Sequence, residues 1–346
     1  MRRLISLFLS LLFLFMSVNV TAGKQSWHQW VAQLKQEAVA QGIDPALFDH
    51  IFDTIPGPDP QILRFDHTQP EHRITFYKYR DTRGGKYKIM VGRRELQIHR
   101  KLLQNVGRDF GVDPCFIVAL WGMETSYGHY MGNFPVIKSL ATLAYDSRRS
   151  EHFRKELLLA LQIVNSKQVK LDKFKGEWAG GSGQTQFLPS SWFKYAVDYE
   201  HDGRKDIWSS YPDVFASIAN YLAKNGWQMN QPWAIIVKLP ADFDQSVIDK
   251  NNLKLVSQWN KLGVRTLSGE PLPNQDLVAS IVQPDGGPTF LAFDNFRTLL
   301  TYNNSIYYAG TVGYMADGIC QKSNEAPVTP RLRHEKSMHH KVHPSY

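Results

Sequence analysis

The chain has 346 residues, 43% hydrophobic and 21% charged, with 40 lysines and arginines against 32 acids and a formal charge of +8. That composition excludes a disordered or collagen-like chain, and the length allows more than one domain with a substantial core. A basic balance suits a polyanionic partner or plain solubility. No basic helix, zinc-finger spacing or aromatic RNA-reading strand accompanies it, so nucleic acid is not expected as a partner.

The N-terminus reads MRR, then the apolar run LISLFLSLLFLFMSV, then VTA ending at Ala22. This is the pattern of a cleavable secretory signal peptide, too short and too N-terminal for a membrane span. No cysteine lies near the cleavage point to suggest a lipid anchor, and no later run approaches transmembrane length. The expected mature protein is soluble and exported. Residues 24–55 carry amphipathic helical stretches such as WHQWVAQLKQEAVAQ, closed by the turn-rich IPGPDPQ. Residues 87–111 read as one long polar helix.

The segment DPCFIVALWGMETSYG is the first with chemical content. Asp113 is a good N-cap and Pro114 suits the first helical position. Phe116, Ile117, Leu120 and Trp121 recur at the period of a buried helical face. Glu124 continues that face, where desolvation raises a carboxyl pKa unless the group is paired. A carboxylic acid protonated near neutral pH is what a general acid requires. The plainer reading is a helix-end glutamate satisfied by an arginine or by backbone amides, and this stretch alone leaves both open.

Beyond it, SLATLAYDSRRSEHFRKELLLALQIV reads as a helix broken near Asp146. GEWAGGSGQTQFLPSS is too rich in glycine for a helix interior. WFKYAVDY and VFASIANYLAKNGW return to helix. After Trp227, AIIVKLP, LVASIVQP and TFLAFD read as short strands, with VSQWNKLGV as a small helix between them. Helical pattern resumes in RTLLTYNNSIYYAGTVGYMADGI. The tail from Glu325 is polar and basic, and reads as disordered. Its His339, His340 and His343 read as a solvated segment, and the twelve histidines form no HExxH spacing.

GMETSYG, GGSGQTQFLPSS, SIANYLAKNGW and TYNNSIYYA, in this order, resemble the lytic murein transglycosylases of the membrane-bound type B family (glycoside hydrolase family 103). The resemblance runs from about Ile74 to Ile319. It implies an α+β fold, a mainly helical lysozyme-like body with a small inserted β-rich domain. The expected divisions are a signal peptide (1–22), an N-terminal helical region (23–106), a catalytic helical core (107–226), the β-rich insertion (227–296), a return to the core (297–324) and the tail (325–346). It also implies a periplasmic lyase that cuts the MurNAc-β-1,4-GlcNAc bond of peptidoglycan without water, leaving 1,6-anhydromuramoyl ends. Its partners would be glycan strands and cell-wall synthesis proteins. A scaffold that binds peptidoglycan without cleaving it, and a lysozyme-like hydrolase, are the competing readings.

By the same resemblance Glu124 is the single acid and base. Gln186 and Phe187 line the saccharide groove, Tyr221 faces the acid, and Tyr302 and Asn303 hold the N-acetyl group. Tyr79 and Tyr308 are aromatic groove residues, and Arg148 and Arg149 meet substrate carboxylates. Two departures stand out. Glu177 occupies the position of a small serine and offers a second carboxylate. Residues 198–209 match an EF-hand-like loop through Asp198, Glu200, Asp202 and Asp206, but Ser209 replaces the closing glutamate, leaving Asp213 as the distal acid. No cofactor is required; a structural calcium is the one this loop would take. Cys115 starts the Glu124 helix and Cys320 follows the segment bearing Tyr302. If those segments converge on one site, an exported protein can join the two thiols.

Overall fold

The computed structural model describes residues 25–68, 74–146, 148–273 and 276–321. The expected leader and basic tail lie outside the described residues. The chain divides into two compact units between Gly57 and Pro58. The first holds α1 (Trp27–Ala40) and α2 (Pro45–Phe52). Ser26 and Gln29 form a capping box on α1, and Asp44 caps α2 ahead of Pro45, so both helices begin where side chains satisfy the first free amides.

The second unit opens with α3 (Pro60–His67), α4 (Phe76–Gly84), α5 (Lys86–Ile98), α6 (Arg100–Phe110) and α7 (Pro114–Thr125). Next come β1 (Phe134–Pro135), α8 (Val136–Asp146), α9 (Ser150–Asn165), β2 (Lys175–Gly176), α10 (Pro189–Tyr195) and α11 (Tyr211–Lys224). The insertion supplies β3 (Ala234–Lys238), β4 (Lys254–Leu255), α12 (Val256–Lys261), β5 (Arg265–Thr266), β6 (Val278–Val282) and β7 (Phe290–Ala292). The chain then closes with α13 (Asp294–Tyr302) and α14 (Ile306–Cys320).

Helix α7 is the axis of the body. Asp113 caps it through the Cys115 amide at 2.9 Å, with Pro114 in the first turn as its sequence requires. The expected one-sided apolar face is replaced by burial all round: every residue from Cys115 to Gly122 is buried. Such a helix belongs at the centre of a fold. Helices α5, α6, α11 and α14 pack around it.

Three helical expectations change in extent, each for a local reason. The long polar helix divides at His99, whose ring packs against Trp121, Tyr211 and Phe215 at 4.6–5.9 Å. The helix expected through Tyr199 stops at Tyr195, because later amides bond elsewhere. Val197 N donates to Ser217 Oγ at 3.0 Å and Tyr199 N to Asp213 Oδ1 at 2.7 Å. The last helical stretch breaks at Asn303, and Ser305 caps the restart through the Tyr308 amide.

All three expected strands and the small helix form. The antiparallel sheet has the order β4-β6-β7-β3-β5. Alternation along β6 and β7 puts Val282 and Phe290 in the core of the helical body, and Ile281 and Leu291 in the insertion's own core beside Trp259. The sheet is therefore the wall between two apolar cores.

Cys115 and Cys320 form a disulfide with a Cα–Cα distance of 5.9 Å, joining the start of α7 to the end of α14. It closes 205 residues of sequence separation, for which chain entropy predicts an upper figure of roughly 5 kcal/mol. We predict that the Cys115→Ser/Cys320→Ser double variant loses 2–5 kcal/mol, on the order found for native disulfides, in denaturant unfolding. An unchanged unfolding midpoint would refute this.

Candidate active site

Glu124 sits in the last turn of α7, and that turn ends in an unusual way. Ser126, Tyr127 and Gly128 all adopt positive φ, at 51°, 64° and 80°. Left-handed backbone at a non-glycine residue costs on the order of 1–3 kcal/mol and persists only when neighbours fix it. They do so here. Tyr127 Oη donates to Lys88 O at 2.6 Å, and its ring meets Trp121 edge-on at 5.4 Å. A Cβ on Gly122 would stand 2.5 Å from the Tyr127 ring, so only glycine lets the ring lie against α7. A Cβ on Gly128 would stand 2.4 Å from Gln184 Oε1. The glycine that closes the turn is needed for this approach as well as for its φ.

Gln184, the first glutamine of GQTQF, binds the loop to α7. Its Oε1 accepts from Trp121 Nε1 at 2.8 Å, its backbone oxygen from Thr125 Oγ1 at 3.2 Å, and its Nε2 donates to Trp208 O at 3.1 Å. The sequence pattern assigned this residue no role. Gln186, at φ 52°, turns its amide back onto Met131 O and Gly183 O at 3.0 and 2.8 Å.

Tyr221, Tyr302 and Tyr308 form one cluster, which Tyr308 joins to the acid. Tyr308 Oη donates to Glu124 Oε1. Tyr302 stacks on Tyr308 at 6.5 Å and lies 4.6 Å from Tyr221. Tyr302 Oη donates to Thr185 O and Tyr221 Oη to Thr301 O, both at 2.6 Å, which ties α13 to the GQTQF loop and to α11. Phe187, expected to line the groove, is instead 2% exposed and packs 5.6–5.9 Å from the Tyr221 and Tyr302 rings, so its place is to support the tyrosines. Tyr79 meets Tyr307 edge-on at 5.7 Å, beside this cluster.

Electrostatics single out Glu124. Burial pushes its carboxyl up to about 7, and Glu177 pushes in the same direction. The Tyr308 hydroxyl, Lys88 and Arg83 pull the other way. Burial and the neighbouring Glu124 together hold the Tyr302 and Tyr308 hydroxyls well above their ordinary range, so both remain neutral donors. Lys88, half-buried, donates to Gly122 O at 3.0 Å.

Other expected residues lie apart from this cluster. Arg149 pairs with buried Asp66 at 3.5 Å and covers the Phe153 ring at 4.9 Å, while Arg148 is exposed on the same turn. Asn303 is exposed at the end of α13. The acidic loop closes on α11: Asp213 accepts from the Tyr199 and Asp206 amides at 2.7 Å each, and Asp198 from the Asp202 and Gly203 amides. Ser210 Oγ donates to Glu200 at 2.7 Å. Among the described residues, no three of these acids bring ligand oxygens within 4.8 Å of one another.

A buried helical axis thus ends in a carboxyl raised to about 7, beside tyrosines and a glycine-rich loop, on a helical body. The chain belongs to the transglycosylase SLT domain family, whose model matches residues 26–317. It is 32% identical over 215 residues to the membrane-bound lytic murein transglycosylase B of Escherichia coli (strain K12), a match covering 61% of this chain and 58% of that protein. The fold is similar to SltB3 from Pseudomonas aeruginosa in complex with NAG-NAM-pentapeptide, with TM-score 0.83 and 41% identity over 89% of this chain and 83% of that one. It is also similar to the Escherichia coli lytic transglycosylase Slt35 in complex with calcium, with TM-score 0.73 and 27% identity over 84% and 92% of the two chains. The lysozyme-like body with an inserted sheet is thus the family fold.

The raised carboxyl has a thermodynamic consequence. Glu124 ionises near 7 in the fold and near its ordinary 4.5 when exposed. Its contribution to stability is present below 4.5 and lost as pH rises through 7, a loss of about 3 kcal/mol. Glu124→Gln should therefore be more stable than the wild type at pH 8, with the advantage vanishing by pH 4.5. Equal unfolding midpoints at pH 8 would contradict the raised carboxyl.

Proposed function

We propose that this protein is a periplasmic peptidoglycan lytic transglycosylase in which Glu124 is the only residue that moves protons. The observation carrying this is a single carboxyl, raised to about 7, accepting from the Tyr308 hydroxyl. Neutral Glu124 donates its proton to the glycosidic oxygen as the C1–O bond of MurNAc breaks. The substrate's N-acetyl carbonyl stabilises the positive charge at C1. The resulting carboxylate takes the proton from the C6 hydroxyl, and O6 bonds to C1. The Glu124 proton returns and no water is consumed. A group near 7 suits both halves, since efficient general acids and bases have pKa values close to the working pH.

A single carboxylate distinguishes this from two-carboxylate glycoside hydrolysis. Glu177 supplies the one observation for the rival hydrolase, because its charge reaches Glu124. Mass spectrometry of purified sacculi after digestion separates the readings. Anhydromuramoyl ends support the lyase, reducing ends the hydrolase with Glu177, and no release the binding scaffold. We predict that Glu124→Gln lowers release at least 10²–10⁴-fold, the usual contribution of a general acid or base, while sacculus binding persists. Retention of a tenth of wild-type turnover would remove Glu124 from the role.

The acidic loop fits a structural calcium in donor type and charge: all five acids offer hard oxygens. Burial first, then Asp198 and Glu200, raise the Asp213 carboxyl, against the two amides that lower it. A divalent cation would relieve that repulsion. Asp198, Glu200, Asp202 and Asp206 would hold it, with Asp213 anchoring the loop. Millimolar calcium should raise the melting temperature of the wild type and leave that of Asp198→Asn unmoved. Identical responses in the two proteins would dispose of the site.

A further inference from the structure

Lys88 is an ammonium group placed at the end of the helix that carries Glu124, and the reaction scheme gives it no part. The last carbonyls of a helix lack partners within it and carry its partial negative charge. Gly122 O, two residues before Glu124, accepts from Ser126 N at 3.1 Å and also from Lys88 Nζ at 3.0 Å. The contact is reciprocal in direction. Tyr127, just past that helix end, donates from its hydroxyl to the Lys88 carbonyl at 2.6 Å.

The ring of Tyr127 is also gripped by two glycines. A Cβ on Gly92 of α5 would lie 2.6 Å from its hydroxyl oxygen, and one on Gly122 of α7 would lie 2.5 Å from its ring. Helices α5 and α7 thus close on Tyr127 with Lys88 as the cross-link between them. A lysine is suited to this point, having a compact donor on an apolar stem that can cross a packed interface.

We propose that Lys88 is a positioning residue for Glu124: its ammonium holds the carbonyl end of α7 in place and supplies the positive charge beside which the Glu124 carboxylate forms midway through the reaction. This rests on the acid–base reading of Glu124. The groups bearing on that carboxyl are Lys88 and Arg83 as cations, Glu177 as an anion, and the Tyr308 hydroxyl. Tyr79 and Tyr302 are phenols that feel its charge. Arg83 is exposed at the end of α4, whereas Lys88 is half-buried and bonded to the helix itself. The geometry therefore makes Lys88 the cation that both places and balances the acid.

The experiment is the pH dependence of anhydromuropeptide release from purified sacculi by the full chain, with thermal melts confirming the fold of each variant. Lys88→Met should lower turnover about ten- to a hundredfold, in the range of a small misplacement of a catalytic group. The half-saturating sacculus concentration should stay unchanged, because the proposal engages the Lys88 ammonium with Gly122 O and gives it no part in holding the glycan. The alkaline limb, set by loss of the Glu124 proton, should move to higher pH. Lys88→Gln keeps a donor for Gly122 O without charge, so it should show the same alkaline displacement with a smaller loss of turnover. Lys88→Arg, which keeps the charge, should hold the wild-type limb.

A reduced rate with an unmoved limb in both Met and Gln variants would mean a merely structural lysine and would overturn the proposal. So would an Arg variant displaced as far as Met. If Lys88→Met does not fold, the Gln and Arg pair decides the question by the position of the limb alone. Glu124→Gln is run in parallel: activity there would sink the acid–base reading itself, a failure separate from that of Lys88.

Discussion

The packing around the end of α7 pushes the Glu124 carboxyl up to about 7, and the rest of the site follows from that enclosure. A helix buried all round must have its end satisfied by other groups, since solvent cannot reach all of it. Those groups are Lys88 on the Gly122 carbonyl, Gln184 of the glycine-rich loop on the Thr125 hydroxyl, and Tyr308 on the carboxyl. Each of the three partners comes from a different element. The protonated state of one residue thereby depends on the packing of α5, the GQTQF loop and α14 together. Like many active sites, this one stores strain, in the left-handed Ser126 and Tyr127, and the surrounding contacts hold it.

Much of this was legible in the sequence, and for identifiable reasons. Asp113-Pro114 announced the start of α7 because capping is local chemistry. The strands of the insertion were legible because β-branched runs bounded by proline, aspartate and glycine have few other uses. Glu124 was legible as an acid on an apolar pattern. The convergence of Tyr221, Tyr302 and Tyr308 came from the family resemblance, since no periodicity in one segment reports contacts with another. What escaped was long-range. Nothing near His99 in sequence shows that its ring will enter an aromatic cluster and divide a helix. Nothing in GGKYKIM marks Lys88 as the partner of a carbonyl 34 positions away. The role of Gln184 was hidden by its neighbour Gln186, which carries the same side chain in the same motif.

The tyrosines also divide labour more finely than a list of groove residues suggests. Tyr308 alone bonds to the carboxyl, while Tyr302 and Tyr221 spend their hydroxyls on backbone oxygens of the GQTQF loop and α13. Their rings pack together and their polar ends act as fasteners, an arrangement suited to a side chain with one apolar body and one polar tip. Phe187, lacking a hydroxyl, takes the buried place beneath them.

The β insertion enters and leaves the helical body through one narrow neck. Asn295 is fully buried, accepts from Gln228 N at 2.7 Å and donates to Gln228 O and Gln231 O at 2.9 Å each; Phe293 N donates to Trp233 O at the same distance. Trp233 is in turn pinned to Asp317 of α14. The chain on either side of the insertion is thus stitched together before the sheet begins. Loops beside β4 and β5, the two edge strands of the sheet, lie outside this neck and can vary in length without unstitching it. A fold built this way sets the packing around Glu124 apart from a region that has more freedom to diverge.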